Sequence, residues 1–388
     1  MIRVAILGAT GSIGRSTLHV IGRHPDRFRV VGLAAGRSVD DLAALVAEHT
    51  PEVAVLSDSG ALAARPDLPP AKWEAGHDAV VALAEHPDVD VVVNAVVGAA
   101  GLASTIAALR SGKRLALANK ESLVAGGRLV TAAADEGGGE LIPIDSEHSA
   151  ILQCLQGCDR GTVGRIVLTA SGGPFRASSL DELAAVTPAR ALKHPTWDMG
   201  AKITIDSATL ANKALEVIEA HFLYGLPYDR IDAVVHPQSI VHSFVEFVDG
   251  SVLAQMGFPT MELPILYALT YPERVADMEL RTFDPVKASP LTFDEIDLER
   301  FQLFALGVEA GRAGGTMPAV YNAANEAVVT LFLEGRIGFL EMGEVVETTM
   351  SRHSVSPIEQ VDDVVKADRE ARDMVREVMA AQHPASGT

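Results

Sequence analysis

Short apolar runs of strand length alternate with amphipathic stretches over the first 146 residues. Runs at 4–7, 29–34, 52–56, 89–97, 114–118 and 140–144 are rich in valine, isoleucine, leucine and alanine, and residues 41–48 and 102–109 carry the helical period between them. Continuous apolar strands separated by helical crossovers predict a parallel sheet covered on both faces. The expected fold class is therefore α/β, with a Rossmann-like, doubly wound parallel sheet over 1–146.

After residue 146 the rhythm changes. A helix over 147–155 and a strand over 165–169 lead into a long segment, 171–202, with glycine, proline and one tryptophan, Trp197. A connection of that length in a compact domain predicts a functional lid. A helix over 207–224 and β-rich runs at 231–235, 240–248 and 251–257 complete an α+β pattern, so 147–279 is expected to form a second, catalytic domain. Residues 280–298 are acidic and contain proline, as a connector would. The pattern over 301–379 is almost wholly helical, predicting an all-helical C-terminal domain over 299–388 with a disordered tail from 383.

The formal net charge of −19 and a pI near 5.0 argue against bulk binding to nucleic acid or an anionic membrane, so an anionic ligand has to be met by a local cluster of cations. Residues 1–7 already read as a strand, which leaves no place for a signal peptide, and no apolar stretch reaches the ~20 residues of a membrane span. The two cysteines, Cys154 and Cys158, stand at helical spacing with no further cysteine to complete a soft-metal site. A soluble protein of a reducing cytoplasm is expected.

The first candidate chemistry is Gly8-Ala9-Thr10-Gly11-Ser12-Ile13-Gly14, placed between a strand and a helix. Glycines there allow close backbone approach, and a helix N-terminus accepts pyrophosphate. The next strand ends in Gly36-Arg37-Ser38, without the acid that would hold the ribose of NAD. Arg37 suits the 2′-phosphate of NADPH, although a lone arginine is also an ordinary surface residue. Asn119-Lys120-Glu121 follows another strand, at the edge where such sheets bind ligands; a plain polar loop is the alternative.

Asp145-Ser146-Glu147 ends the last run of this part. In an extended segment residues i and i+2 share a side, so both carboxylates can meet a hard divalent cation. A helix start, with Asp145 as N-cap, explains the same residues equally well. On the 207–224 helix Ala211, Leu215, Ile218 and Phe222 form one face, and Thr209, Asn212, Lys213 and Glu216 the other. That second face is either solvated or, with Ser207 and the helix dipole, a phosphate site, from which Glu216 could join Asp145 and Glu147 on a metal. Ser171-Gly172-Gly173 ends a strand as a candidate anion nest. His236 and His242 admit a metal reading, but strand-borne histidines satisfied in place fit better.

These segments, in this order, resemble the 1-deoxy-D-xylulose 5-phosphate reductoisomerase family: GATGSIG at 8–14, ANKES at 118–122, PIDSEHSAI at 143–151, TASGGPF at 169–175, HPTWDMG at 194–200, DSATLANKALEVIEA at 206–220 and HPQSIVHS at 236–243. The resemblance implies an enzyme of isoprenoid precursor biosynthesis that rearranges and reduces a sugar phosphate with NADPH and Mg²⁺, Mn²⁺ or Co²⁺. It implies metal ligands at Asp145, Glu147 and Glu216; substrate contacts from Lys120, Ser146, Ser171, His194, Trp197, Ser207, Asn212 and Lys213, with Glu147 and Glu216 through the metal; and NADPH contacts from Thr10, Gly11, Ser12, Ile13, Gly36, Arg37, Ser38, Asn119, Glu121, Gly200 and Met261. Lys120 and His194 join the three carboxylates as the catalytic set. It also implies a homodimer. A metal-free NADPH oxidoreductase and a non-catalytic dinucleotide sensor remain the rival readings.

Overall fold

The computed structural model describes residues 1–63, 67–194, 199–281 and 283–382. Two compact units divide the chain: Met1–Ser122, Arg128–Ser149 and Thr260–Arg281 form the first, and Leu123–Gly127, Ala150–Pro259 and Thr282–Thr388 the second.

The first unit is built on seven parallel strands: β1 (Ile2–Leu7), β2 (Phe28–Ala35), β3 (Val53–Leu56), β4 (Lys72–Ala75), β5 (Val91–Asn94), β6 (Arg114–Leu117) and β7 (Glu140–Pro143). Their order is β4-β3-β2-β1-β5-β6-β7, so the winding direction reverses between β1 and β5, the place where such sheets open a ligand crevice. The doubly wound reading is borne out. β4 is an addition: Lys-Trp-Glu-Ala at a sheet edge has no apolar run to betray it. Val4–Leu7, Leu33, Val55, Val92 and Leu115 are buried between the helical layers, which is why these strands read as continuous apolar runs.

Thr260–Arg281, which the sequence placed in the second part of the chain, packs with the first unit. Its helix Glu262–Thr270 lies on helix Ser12–Arg23 and against β6 and β7. Arg23 fixes it, pairing with Glu262 at 2.8 Å and with the buried carboxylate of Asp277 at 2.7 Å.

The second unit carries a mixed sheet of β8 (Val163–Ala170), β9 (Ile231–Val235), β10 (Val241–Phe247) and β11 (Val252–Met256) in the order β11-β10-β8-β9. Helix Ala211–Tyr224 packs against Gln302–Ala313, one of the C-terminal helices that continue with Met317–Leu333, Glu341–Arg352 and Val361–Gln382. The close approach uses Gly307, where a Cβ would stand 2.5 Å from that of Ala214. The α+β and helical parts are thus as expected.

Two readings in this unit need correction. The single helix expected over 207–224 is two, Ala201–Ala208 and Ala211–Tyr224, broken where Leu210 takes a left-handed φ of 59°. Leu210 is buried, so burial of its side chain offsets the roughly 1–2 kcal/mol that this conformation costs. Nor is 171–202 one long loop. It contains helices Leu180–Ala184 and Pro188–Ala191, the first held by a reciprocal Ser179–Glu182 capping box. Phe175 meets Phe339 edge to face at 5.3 Å, and Arg300 Nη1 donates to the carbonyls of Arg176 and Ser178 at 3.0 Å each. The expectations for Trp197, for the tip of the lid and for the 383–388 tail fall outside the described residues. Among the described residues no helix is long and apolar enough to cross a membrane.

Candidate active site

In the first unit the candidate segments at 8–14, 36–38, 119–121 and 145–147 each leave the carboxyl end of a strand. β1 runs into Gly8, whose φ of 87° excludes most residues and whose Cβ would lie 2.4 Å from Ala95 O; a Cβ at Gly14 would lie 2.4 Å from Gly8 O. Gly8 and Gly14 are therefore fixed by packing. Gly11 is the N-cap of helix Ser12–Arg23, and no side chain caps that end, so the amides around Thr10, Gly11, Ser12 and Ile13 have the character of a phosphate cradle. β2 runs into Gly36, Arg37 and Ser38. The Arg37 side chain is 87% exposed and pairs with Asp58 at 3.0 Å. Met261 stands just before helix Glu262–Thr270.

Asn119 follows β6 and is buried. Its carboxamide oxygen accepts from Ser122 N at 3.2 Å, capping helix Lys120–Gly137, while its nitrogen donates to Val96 O at 2.7 Å and Gly98 O at 2.9 Å. It thereby moulds the loop after β5 at the switch point. Glu121 is buried beside it and accepts from the same nitrogen at 3.0 Å.

The segment 145–147 is not extended as expected. β7 ends at Pro143 and helix Ser146–Cys154 begins at once, with Asp145 Oδ1 accepting from Glu147 N at 3.2 Å. The capping geometry is present because an orphan amide at a helix start takes the nearest carboxylate. The other oxygen, Asp145 Oδ2, pairs with the largely buried Lys120 Nζ at 3.1 Å. Ser146 donates its hydroxyl hydrogen to Glu147. Two carboxylates in three residues are a hard-oxygen donor set that suits Mg²⁺ or Mn²⁺.

In the second unit His194 Nε2 lies 3.2 Å from Ser171 Oγ and 3.0 Å from Ser207 Oγ, linking the end of β8 to helix Ala201–Ala208. Burial pushes the His194 pKa down, so the imidazole is neutral near pH 7. Gly172 and Gly173 follow Ser171 with φ of 79° and 64°, and a Cβ on Gly173 would stand 2.7 Å from Ser207 O. Gly200 is the N-cap of helix Ala201–Ala208. Because the helix breaks at Leu210, Asn212 and Lys213 occupy the first turn of Ala211–Tyr224, where the dipole favours an anion. Ser207 lies in the last turn of the preceding helix, outside that first turn. The solvated-face alternative fails: Lys213 is 3% exposed and Glu216 wholly buried. Lys213 pairs with Glu216, and Asn212 Nδ2 donates to Glu216 Oε1 at 2.5 Å.

Asp206 was not singled out by sequence. It is buried, pairs with Lys202 at 2.8 Å and accepts from Asn325 Nδ2 at 2.8 Å, tying Ser207's helix to the C-terminal helices. A partner 119 residues away leaves no local signal. His236 is satisfied in place: Nδ1 bonds Thr292 O at 2.8 Å and Nε2 accepts from Ile240 N and Val241 N.

A doubly wound sheet with an uncapped glycine turn at its switch point defines a dinucleotide-binding α/β protein with an appended second unit. Comparison with known proteins is specific. Family models described as 1-deoxy-D-xylulose 5-phosphate reductoisomerase, its C-terminal domain, and the DXP reductoisomerase C-terminal domain match residues 4–127, 141–224 and 256–374. The enzyme of that name from Thermosynechococcus vestitus is 51% identical over 96% of this chain and 92% of its own, and that from Xanthomonas oryzae pv. oryzae 52% identical over 97% of each. Among solved structures, that of the Zymomonas mobilis reductoisomerase in complex with NADPH superposes with a TM-score of 0.89 at 44% identity, covering 97% of this chain and 99% of that one. A DOX-P reductoisomerase in complex with NADPH, fosmidomycin and magnesium gives 0.92 at 38%, covering 100% of both. The chain belongs to the 1-deoxy-D-xylulose 5-phosphate reductoisomerase family.

Proposed function

We propose that this protein converts 1-deoxy-D-xylulose 5-phosphate to 2-C-methyl-D-erythritol 4-phosphate, rearranging the carbon skeleton and reducing the product aldehyde, in isoprenoid precursor biosynthesis. The observation that carries the reading is full-length family membership at about half identity with every implied donor in place in this sequence.

In the first unit the amides from Thr10 to Ile13 receive the cofactor pyrophosphate, and Gly36, Arg37 and Ser38 its 2′-phosphorylated ribose. Asn119 and Glu121 shape the floor after β5 and β6, and Gly200 and Met261 bound the nicotinamide. NADPH supplies the hydride. Asp145, Glu147 and Glu216 hold the divalent ion, which supplies a Lewis acid and a template for the substrate's ketone and neighbouring hydroxyl. Lys120, already on Asp145, offers its ammonium to substrate oxygen as negative charge develops there. Ser171, Ser207, Asn212 and Lys213 take the substrate phosphate, the neutral His194 orienting both serine hydroxyls. Ser146 and Trp197 complete the surroundings of the carbon skeleton.

We further propose a helical C-terminal domain over 299–388 behind a connector at 280–298, a homodimer, and a cytoplasmic location, the last supported by two cysteines that form no disulfide. Purified protein with deoxyxylulose phosphate, NADPH and Mn²⁺ should oxidise NADPH and form the branched product, and chelator should stop it. NADPH oxidation that persists in chelator would favour the metal-free oxidoreductase, and no turnover at all would favour the sensor.

A further inference from the structure

We propose that Asn94 is a positioning residue for the cofactor: it opens and closes a buried hydrogen-bond circuit that keeps the loop 95–98 in the shape NADPH binds. This rests on the cofactor assignment just proposed. Asn94 is the last residue of β5, beside β1 at the switch point, and is wholly buried, which leaves any cofactor contact to the loop that follows it. Its carboxamide oxygen accepts from Val96 N at 3.2 Å, and its nitrogen donates to Gly101 O at 3.0 Å and to Thr105 Oγ1 at 2.9 Å. Thr105 donates its hydroxyl hydrogen to Ser122 Oγ at 3.3 Å, and Ser122 donates in turn to the Asn119 carboxamide oxygen. Asn119 Nδ2 then donates to Val96 O and Gly98 O. The circuit starts on the amide of Val96 and ends on its carbonyl, and all four of its side chains are buried.

Backbone groups fix its sense. Val96 N–H can be met only by the carboxamide oxygen of Asn94, and the carbonyls of Gly101, Val96 and Gly98 only by amide nitrogens, so each hydroxyl between them has one direction left. The loop held in this way lies on the glycine turn: Ala95 N donates to Leu7 O at 2.8 Å, and a Cβ on Gly8 would stand 2.4 Å from Ala95 O. The carbonyl of Asn94 also accepts from Ala118 N and Asn119 N at 3.0 Å each, locking the ends of β5 and β6 together. Val97, between the two pinned residues, is 75% exposed, so the tip of the loop is placed by its backbone neighbours and not by burial of its own side chain. Breaking the circuit leaves a buried donor or acceptor unmet. The loop then turns to water in the free protein, and NADPH binds only the fraction still in place.

The test titrates full-length protein with NADPH, read by the fluorescence of the bound cofactor, and sets the dissociation constant beside the KM for deoxyxylulose phosphate at saturating NADPH. Thr105→Val deletes one hydroxyl from the middle of the circuit at nearly constant shape, Thr105→Ser keeps that hydroxyl and gives up a methyl, and Asn94→Asp keeps the acceptor for Val96 N but loses both donors. Thr105→Val and Asn94→Asp should each bind NADPH about tenfold more weakly, the scale of one unmet buried polar group. Thr105→Ser should bind as wild type does, and KM for the sugar phosphate should hold in all three. Wild-type NADPH affinity in both Thr105→Val and Asn94→Asp would overturn the role of the circuit and leave the cofactor assignment standing. Should Asn94→Asp fail to fold, Thr105→Val decides alone. Equal losses in Thr105→Ser and Thr105→Val would refute it as well, since packing and not the hydroxyl would then matter, and so would a rise in KM matching the loss of NADPH affinity, which would mark a general loosening. Wild-type protein that binds no NADPH would sink the cofactor assignment, and the inference with it.

Discussion

Arg37 is the side chain proposed to set cofactor choice. Its guanidinium is exposed at the end of β2 and, among the described residues, pairs with Asp58, so it can turn to a phosphate at little desolvation cost. A hydrogen bond to a charged group contributes about 1.5–3 kcal/mol, so Arg37→Ala should weaken NADPH binding about 10- to 100-fold and leave NADH almost unchanged; equal losses in fluorescence titrations with the two cofactors would remove Arg37 from the site. At the carboxylates, Asp145→Asn or Glu147→Gln should lower turnover by at least the ~100-fold known for groups one shell further from a metal, while NADPH titration stays normal. His194 gives a pH effect. Burial lowers its pKa from 6.5, and His353 is lowered by burial as well, against the opposing pull of Glu370. In that window the unfolded chain takes protons that the folded one refuses, so stability falls as pH drops below about 6.5 and is unaffected by these groups above it. Urea midpoints compared at pH 7.5 and 5.5 should show the loss, and His194→Gln should lessen it.

At the scale of elements, two backbone features bring together the residues proposed to take the phosphate. The break at Leu210 gives the helix Ala211–Tyr224 a start of its own, and Gly173 lets the end of β8 lie against the Ser207 carbonyl. Gly173→Ala combines a left-handed φ with a contact of 2.7 Å to backbone, and strain of this kind amounts to about 1–3 kcal/mol. The variant should unfold at lower urea and show a raised KM for deoxyxylulose phosphate, with NADPH affinity kept; a wild-type KM would mean that the Ser171 turn and Ser207 do not act together. The helix break was not legible beforehand, since apolar periodicity runs through 207–224 without glycine or proline. The cap at Asp145 was legible as one of two alternatives, and the structure adds that its second oxygen pairs with Lys120.

For the whole molecule, the net charge of −19 sets the problem that the site solves locally. Two anionic ligands have to be met by few cations, and those proposed here are Arg37 at one strand end and Lys120 and Lys213 in buried pairs with acids. The exposed edge strand β11, with Val252 and Leu253 in part open to solvent, accords with the proposed homodimer. Light scattering should give twice the 40.9 kDa chain mass, and a monomer at micromolar concentration would exclude it.

The sequence by itself determined the α/β class, the glycine turn, the order of the site segments and the family. Each is written in local pattern: strands buried on both faces must be continuously apolar, and a turn under a phosphate must be glycine. Tertiary structure alone decided that Lys213 and Glu216 are a buried pair and not a solvated face, that the 171–194 segment is packed helix and turn, that 260–281 belongs with the first unit, and that Asp206 is anchored by Asn325. In each case the deciding contact joins residues distant in sequence, or depends on what covers a helix face, and periodicity can say which residues share a face but not whether water or protein lies against it.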